Sequence, residues 1–220
     1  MKRNLKIALT TLVLATLACN TLVNTPFSNV KTGPSETFSI DEPISASAII
    51  TNASLLMASS SATLALAGGG KSLVEGEIIY NVAEWKPTLN ASDGTLRILQ
   101  EPQGDKLYSV SGEAVNEWDL KLDNGIVNVR VDCPAGDFTL DFAETLPDGV
   151  TITIAMGAGN LRLIVPDGIA ASVKVTRGPS NVSTEGGWTK DGNNYTNDGS
   201  GSVWTIDVDM GVVNLTLASR

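Results

Sequence analysis

The chain has 220 residues and a mass of 23.0 kDa, with 15 bases against 24 acids, 21 glycines, two cysteines and no histidine. That length suits one domain or two small ones and can bury a core without staples. The lack of histidine excludes Ser/His and Cys/His nucleophile pairs and every His-ligated metal site. A pI ≈ 4.5 argues against nucleic acid as a partner, because such partners ask for a basic stripe.

Lys2, Arg3 and Lys6 precede an apolar run from Ile7 to Ala18, the pattern of a secretory signal over residues 1–18. The run falls short of the roughly 20 residues that span a bilayer. Ala15-Thr16-Leu17-Ala18-Cys19-Asn20 resembles the lipobox of bacterial lipoproteins, with Thr16 where such boxes usually carry Leu. The resemblance implies that Cys19 becomes the lipidated first residue of the mature chain; the alternative is ordinary cleavage and release. Residues 19–45 are rich in Thr, Asn, Ser and Pro and read as a linker between lipid and domain. Without residues 1–18 the chain keeps 12 bases and 24 acids, a net of −12. So acidic a surface is repelled by anionic headgroups, so membrane contact would come through the lipid. Cys133 is then left without a second cysteine, and a disulfide scaffold is excluded.

Glu42 and Lys71 bracket 28 uncharged residues. Ser47, Thr51, Asn52, Ser54, Ser59, Ser60, Ser61 and Thr63 make that stretch too polar for a comfortable membrane span, and it reads as two buried strands around a Ser-rich turn. Gly68-Gly69-Gly70-Lys71-Ser72 looks like the end of a phosphate-binding loop, but Ala65 stands where the full pattern needs Gly. Leu73 to Tyr80 also reads as a strand rather than the helix such a loop must open.

Beyond Tyr80 the chain shows short alternating runs and almost no helical periodicity. Val127, Val129, Val131 and Cys133 share one face, followed by Phe138, Leu140 and Phe142. Ile152, Ile154 and Met156, then Leu161, Leu163 and Val165, repeat the pattern, as do Trp204, Ile206, Val208 and Met210, then Leu215 and Leu217. Pro134-Ala135-Gly136-Asp137 lines up with Gly157-Ala158-Gly159-Asn160, with weaker copies at Gly178–Asn181 and Gly211–Asn214. The aligned Asp137, Asn160, Asn181 and Asn214 are 23, 21 and 33 residues apart. Ala62–Leu66 and Gly94–Ile98 read as further, degenerate copies. A period of 20–24 residues made of strand, small-residue corner and strand predicts an all-β fold, a β-solenoid over residues 46–220. A β-sandwich is the runner-up. Glu185 to Ser202 fills the long step and reads as an inserted hairpin.

Leu73-Val74-Glu75-Gly76, Tyr80-Asn81-Val82-Ala83-Glu84-Trp85-Lys86-Pro87, Gly94-Thr95-Leu96-Arg97-Ile98, Asn116-Glu117-Trp118-Asp119-Leu120 and the corners at 134–137 and 157–160 together resemble the toast-rack family of bacterial envelope proteins. The resemblance covers roughly residues 45–220 and implies a right-handed β-helix-like rack outside the cytoplasmic membrane, with no catalytic residues to carry over. It also implies relatives among adhesin-like surface proteins and among regulators that respond to cell-wall damage.

The remaining candidates have plain structural readings. Asp132, Asp137, Asp141, Asp207 and Asp209 could attract calcium, yet no segment has a calcium-loop pattern, and a solvated acidic face explains them. Carboxylate pairs for glycoside hydrolysis are guaranteed by so many acids and identify no site. Trp204 is in phase with the core, and Trp85 and Trp118 read as covers for the end or edge of the rack. Trp188 and Tyr195, in the inserted hairpin, are the candidates for exposed aromatic contact with a ligand. Asn52, Asn90, Asn181, Asn194 and Asn214 open Asn-x-Ser/Thr triplets, which mean little in a bacterial chain. Cys133 reads as a buried, inert thiol. No metal, cofactor or catalytic residue is expected. The expected function is a non-enzymatic envelope lipoprotein for surface binding or scaffolding, with cell-wall glycan or a membrane protein as partner. The alternatives are an accessory role in envelope stress and, last, a glycan-processing enzyme.

Overall fold

The computed structural model describes residues 28–44, 49–58, 60–67, 71–100, 108–142, 149–176 and 181–219. The predicted signal segment and Cys19 lie outside them. The strands are β1 (Ser28–Lys31), β2 (Glu36–Pro43), β3 (Asn52–Leu56), β4 (Ser60–Ala67), β5 (Ser72–Tyr80), β6 (Thr88–Ser92), β7 (Thr95–Leu99) and β8 (Tyr108–Ser111). There follow β9 (Asn116–Asp123), β10 (Asn128–Asp141), β11 (Thr151–Val165), β12 (Ile169–Thr176), β13 (Asn181–Glu185), β14 (Trp188–Asp191), β15 (Asn194–Asn197) and β16 (Ser200–Ser219). One 3-10 turn, Ala83–Trp85, interrupts them. Among the described residues no helix is long and apolar enough to cross a membrane.

β10 shows how a rung is made. Val129, Val131 and Cys133 point inward before the corner, and Phe138, Leu140 and Phe142 point inward after it, so one strand supplies two arms to a common core. Phe142, at the end of the second arm, meets Trp204, in the first arm of β16, edge to face with ring centroids 5.4 Å apart. The two arms therefore face each other across the core. The described residues build six parallel rungs, stacked in the order β7/β9, β3/β4, β10, β11, β16, β12/β13. Leu96, Ala53, Val129, Ile152, Ile206 and Val173 form one inward ladder in register along that stack. Antiparallel strands cover the ends: β6 pairs with β7, β5 and then β2 pair outward from β9, and the β14–β15 hairpin pairs with β12.

This is the solenoid-like rack of the sequence reading, with two exchanges of rung order. The chain fills the second slot before the first, and the sixth (β12/β13) before the fifth (β16). Asn214 consequently lies between Asn160 and Asn181. Apolar content explains the second exchange. β16 offers Trp204, Ile206, Val208, Met210, Leu215 and Leu217 to the core, whereas β13 is mostly exposed and tolerates an end position. Gly94–Ile98 is also out of phase with its assigned copy, since β7 is a first arm rather than a post-corner arm.

Part of the predicted linker belongs to the fold. β1 pairs with β8, and β2 pairs with β5 from Glu36 to Pro43. Phe38 and Ile40 alternate with polar neighbours, and Ile40 is buried, so a period of two was present beneath the Ser/Thr/Pro composition. The buried Tyr80 hydroxyl donates to Glu36 Oε2 at 2.9 Å and ties down this edge; burial first, then the Glu36 carboxylate, holds its pKa above the ordinary phenol value.

Candidate functional site

Outward-facing residues of the second arms form a shallow groove of about 600 Å³. Its floor follows from the pleat. Where the inward positions of β9, β4, β10, β11 and β16 are apolar, the alternate positions place Glu117 and Asp119, Thr63, Asp137 and Thr139, Asn160 and Arg162, and Asn214 and Thr216 on the outer face. Antiparallel β5 adds a wall in which Glu77 stands directly opposite Asp119 and Ile79 opposite Glu117. Glu77, Glu117, Asp119 and Asp137 are all exposed. The Trp118 ring is turned inward and 2% exposed, so the groove offers no aromatic platform from that strand.

Along one side of the groove runs an amide ladder. Asn160 Nδ2 donates to Asp137 Oδ1 at 2.6 Å, and Asn214 Nδ2 donates to Asn160 Oδ1 at 2.9 Å. Rungs about 4.8 Å apart place identical positions within hydrogen-bonding reach, which accounts for Asp or Asn after each corner. Arg162 reaches over β16 to Glu185, with nitrogen–oxygen distances of 3.0 and 2.7 Å. This hydrogen bond holds the Glu185 carboxyl below its ordinary range and raises the guanidinium further.

A second concavity, about 530 Å³, lies beside the corners and is lined by Leu56, Asp132, Pro134, Ala155, Met156 and Met210, among others. Asp132 accepts two hydrogen bonds from Arg130, at 2.7 and 2.6 Å. Cys133 is buried, with Sγ 3.2 Å from the Ala135 carbonyl oxygen. Among the described residues no group of three or more His, Cys, Asp or Glu is placed to hold a metal ion.

Of the two aromatics expected to be exposed, Tyr195 is not presented to solvent and Trp188 only in part. Tyr195 is 4% exposed and belongs to the core, and Trp188 is half-buried against it. The reason is topological. β15 pairs with β12, so the hairpin closes the last rung instead of projecting from it. Lys190 Nζ lies over the outer side of the Tyr195 ring, 5.3 Å from its centroid. Trp118 fills the first rung, where β5 covers it, and Trp85 is half-buried in the 3-10 turn. The groove residues were visible in the sequence as polar alternates of apolar strands. What was hidden was that β5 would pair beside β9 and set Glu77 against Asp119.

The architecture defines a class: a stacked, two-armed β rack with a polar groove on one outer face. The chain belongs to the toast-rack family; the family model described as the N-terminal domain of toast_rack, DUF2154, matches residues 29–183. A crystal structure described as a "putative cell adhesion protein" from Clostridium sporogenes aligns with TM-score 0.65 and 20% identity, over 85% of this chain and 99% of that one. A "putative adhesin" from Parabacteroides distasonis aligns with TM-score 0.32 and 10% identity, over 86% of this chain and 73% of that one. No curated protein matches the sequence.

Proposed function

We propose that this chain is a non-enzymatic binding module of the bacterial cell envelope, exported and held at the outer side of the membrane by a lipid on Cys19. The rigid polar groove on the outer face of the second arms is the observation that supports it. Rungs in fixed register hold Thr63, Thr139 and Thr216 in line, an arrangement suited to gripping an extended surface ligand. The groove carboxylates are exposed to solvent, whereas acid–base catalysis on a bound substrate calls for a site that excludes water. Membership of the toast-rack family and the adhesion described for the Clostridium protein are consistent with a surface role.

The test uses the full chain expressed in a bacterial host and its mature form in solution. Incorporation of labelled fatty acid that disappears in Cys19→Ala supports the anchor; label persisting on that variant defeats it. Co-sedimentation of the mature protein with isolated cell envelopes supports surface binding, and its absence refutes it.

A further inference from the structure

The groove carries an electrostatic feature that the fold does not need. Glu77 and Asp119 are directly opposite across the β5–β9 pair, and Glu117 is two residues from Asp119 on the same face. Like charges opposite one another destabilise a sheet. No cation of the described residues is paired with Glu77, Glu117 or Asp119: the ion pairs are Arg130 with Asp132, and Arg162 with Glu185. Arg162, the basic residue lining the groove, is therefore already engaged at its far side. An occupant that supplies positive charge removes a repulsion present in the empty groove.

We infer that the occupant is an extended peptide segment of a partner protein, rich in lysine or arginine. The inference rests on the surface-binding reading above and names its ligand. A neutral sugar polymer would look for an exposed aromatic face on which to stack, and here the Trp118 and Phe138 rings are buried under the floor. An anionic polymer would meet four carboxylates. A basic segment meets charge-assisted partners at Glu77, Glu117, Asp119 and Asp137. Thr63 and Thr139 offer hydroxyl groups, and Asn214 its amide oxygen, for the peptide main chain. A volume of about 600 Å³ is that of a site for a few side chains, not for a folded domain.

The probe is a fluorescent nonapeptide of alternating lysine and serine, titrated against the mature protein and followed by anisotropy. A glutamate–serine peptide and a neutral N-acetylglucosamine oligomer are run beside it. Binding of the lysine peptide that weakens by about tenfold or more in Glu77→Gln/Glu117→Gln/Asp119→Asn, and by less than about twofold in the equally neutralised Asp167→Asn/Asp191→Asn/Asp198→Asn, supports the inference. Equal weakening in both variants, or none in the groove variant, overturns it, as does tighter binding of the neutral oligomer. A ligand-free check is independent of the peptide: Glu77→Gln alone should melt at or above the parent temperature, and a lower one contradicts the repulsion. If the peptide fails while envelopes still co-sediment with the protein, the inference falls and the surface-binding reading stands. If neither binds, both fall.

Discussion

The three central rungs, β10, β11 and β16, and the first rung, β7/β9, solve the same problem with different chemistry. Each central rung is one unbroken strand with a glycine at its corner (Gly136, Gly159 and Gly211), so backbone can approach backbone there. At Gly159 φ is +127°, and a Cβ would overlap the carbonyl oxygen of Gly136 in the rung below. The first rung is cut: the chain leaves β7 at Leu99 and returns at Asn116. Its corner is a buried amide clamp. Gln100, 1% exposed, accepts from Ala58 N at 3.0 Å, donates to Asn116 Oδ1 at 2.8 Å and accepts from Asn116 Nδ2 at 2.9 Å. The Trp118 indole nitrogen donates to the same pair, at 3.2 and 3.3 Å. A regular corner thus needs glycine where one rung's backbone touches the next, while an interrupted one is closed by side chains that replace the missing backbone.

The largest effect is expected in the central rungs, where nothing polar compensates. Trp204→Ala removes the side chain that bridges the arms against Phe142 and should cost about 3–5 kcal/mol, read as a lower urea midpoint. Next comes the clamp. Gln100→Ala leaves the Ala58 N–H buried without its acceptor and takes from Asn116 the two hydrogen bonds it shares with Gln100, and should cost about 3 kcal/mol. A loss under about 1 kcal/mol would mean that the interrupted rung does not rely on its amides, and the contrast with the central corners would collapse. Gly159→Ala should cost about 2–3 kcal/mol through overlap with the next rung, with little change at the first rung by hydrogen exchange. Asn160→Ala, which cuts an exposed ladder at its middle, should cost less than about 1 kcal/mol, separating corner backbone from corner side chain.

How far the sequence revealed this follows from the same contrast. The central rungs were legible because each contains its own strand, corner and strand in phase, a pattern local enough to show as a repeat. The alternation of Leu161, Leu163 and Val165 with their neighbours also indicated which side chains of that arm face out. The exchange of β16 with β12/β13 was not legible, because the pairing partner of a strand is set by its burial in the whole stack. Tyr195 misled for a related reason: turn residues around it announced a hairpin, but only the free edge of β12 gives that hairpin a place to dock. In the groove the individual acids were readable and the opposition of Glu77 to Asp119 was not, since two positions 42 residues apart in the chain become neighbours.

The smallest effect concerns how the last rung is fastened, and pH makes it measurable. Arg162 and Glu185 span from β11 to β13 over β16, both largely in water, so their ion pair fastens the end rung only weakly. The Arg162 hydrogen bond lowers the Glu185 pKa in the folded protein. A carboxyl lowered on folding contributes stability above its unfolded pKa, and that contribution is lost as pH falls through the folded value. The gap in melting temperature between the parent and Arg162→Ala should therefore be small at neutral pH and close as the pH drops below the ordinary carboxylate range. It should also shrink with added salt. A gap that persists in acid would show that Arg162 holds β13 by packing its stem across Thr216, and the end rung would then resemble the clamped first rung more than its regular neighbours.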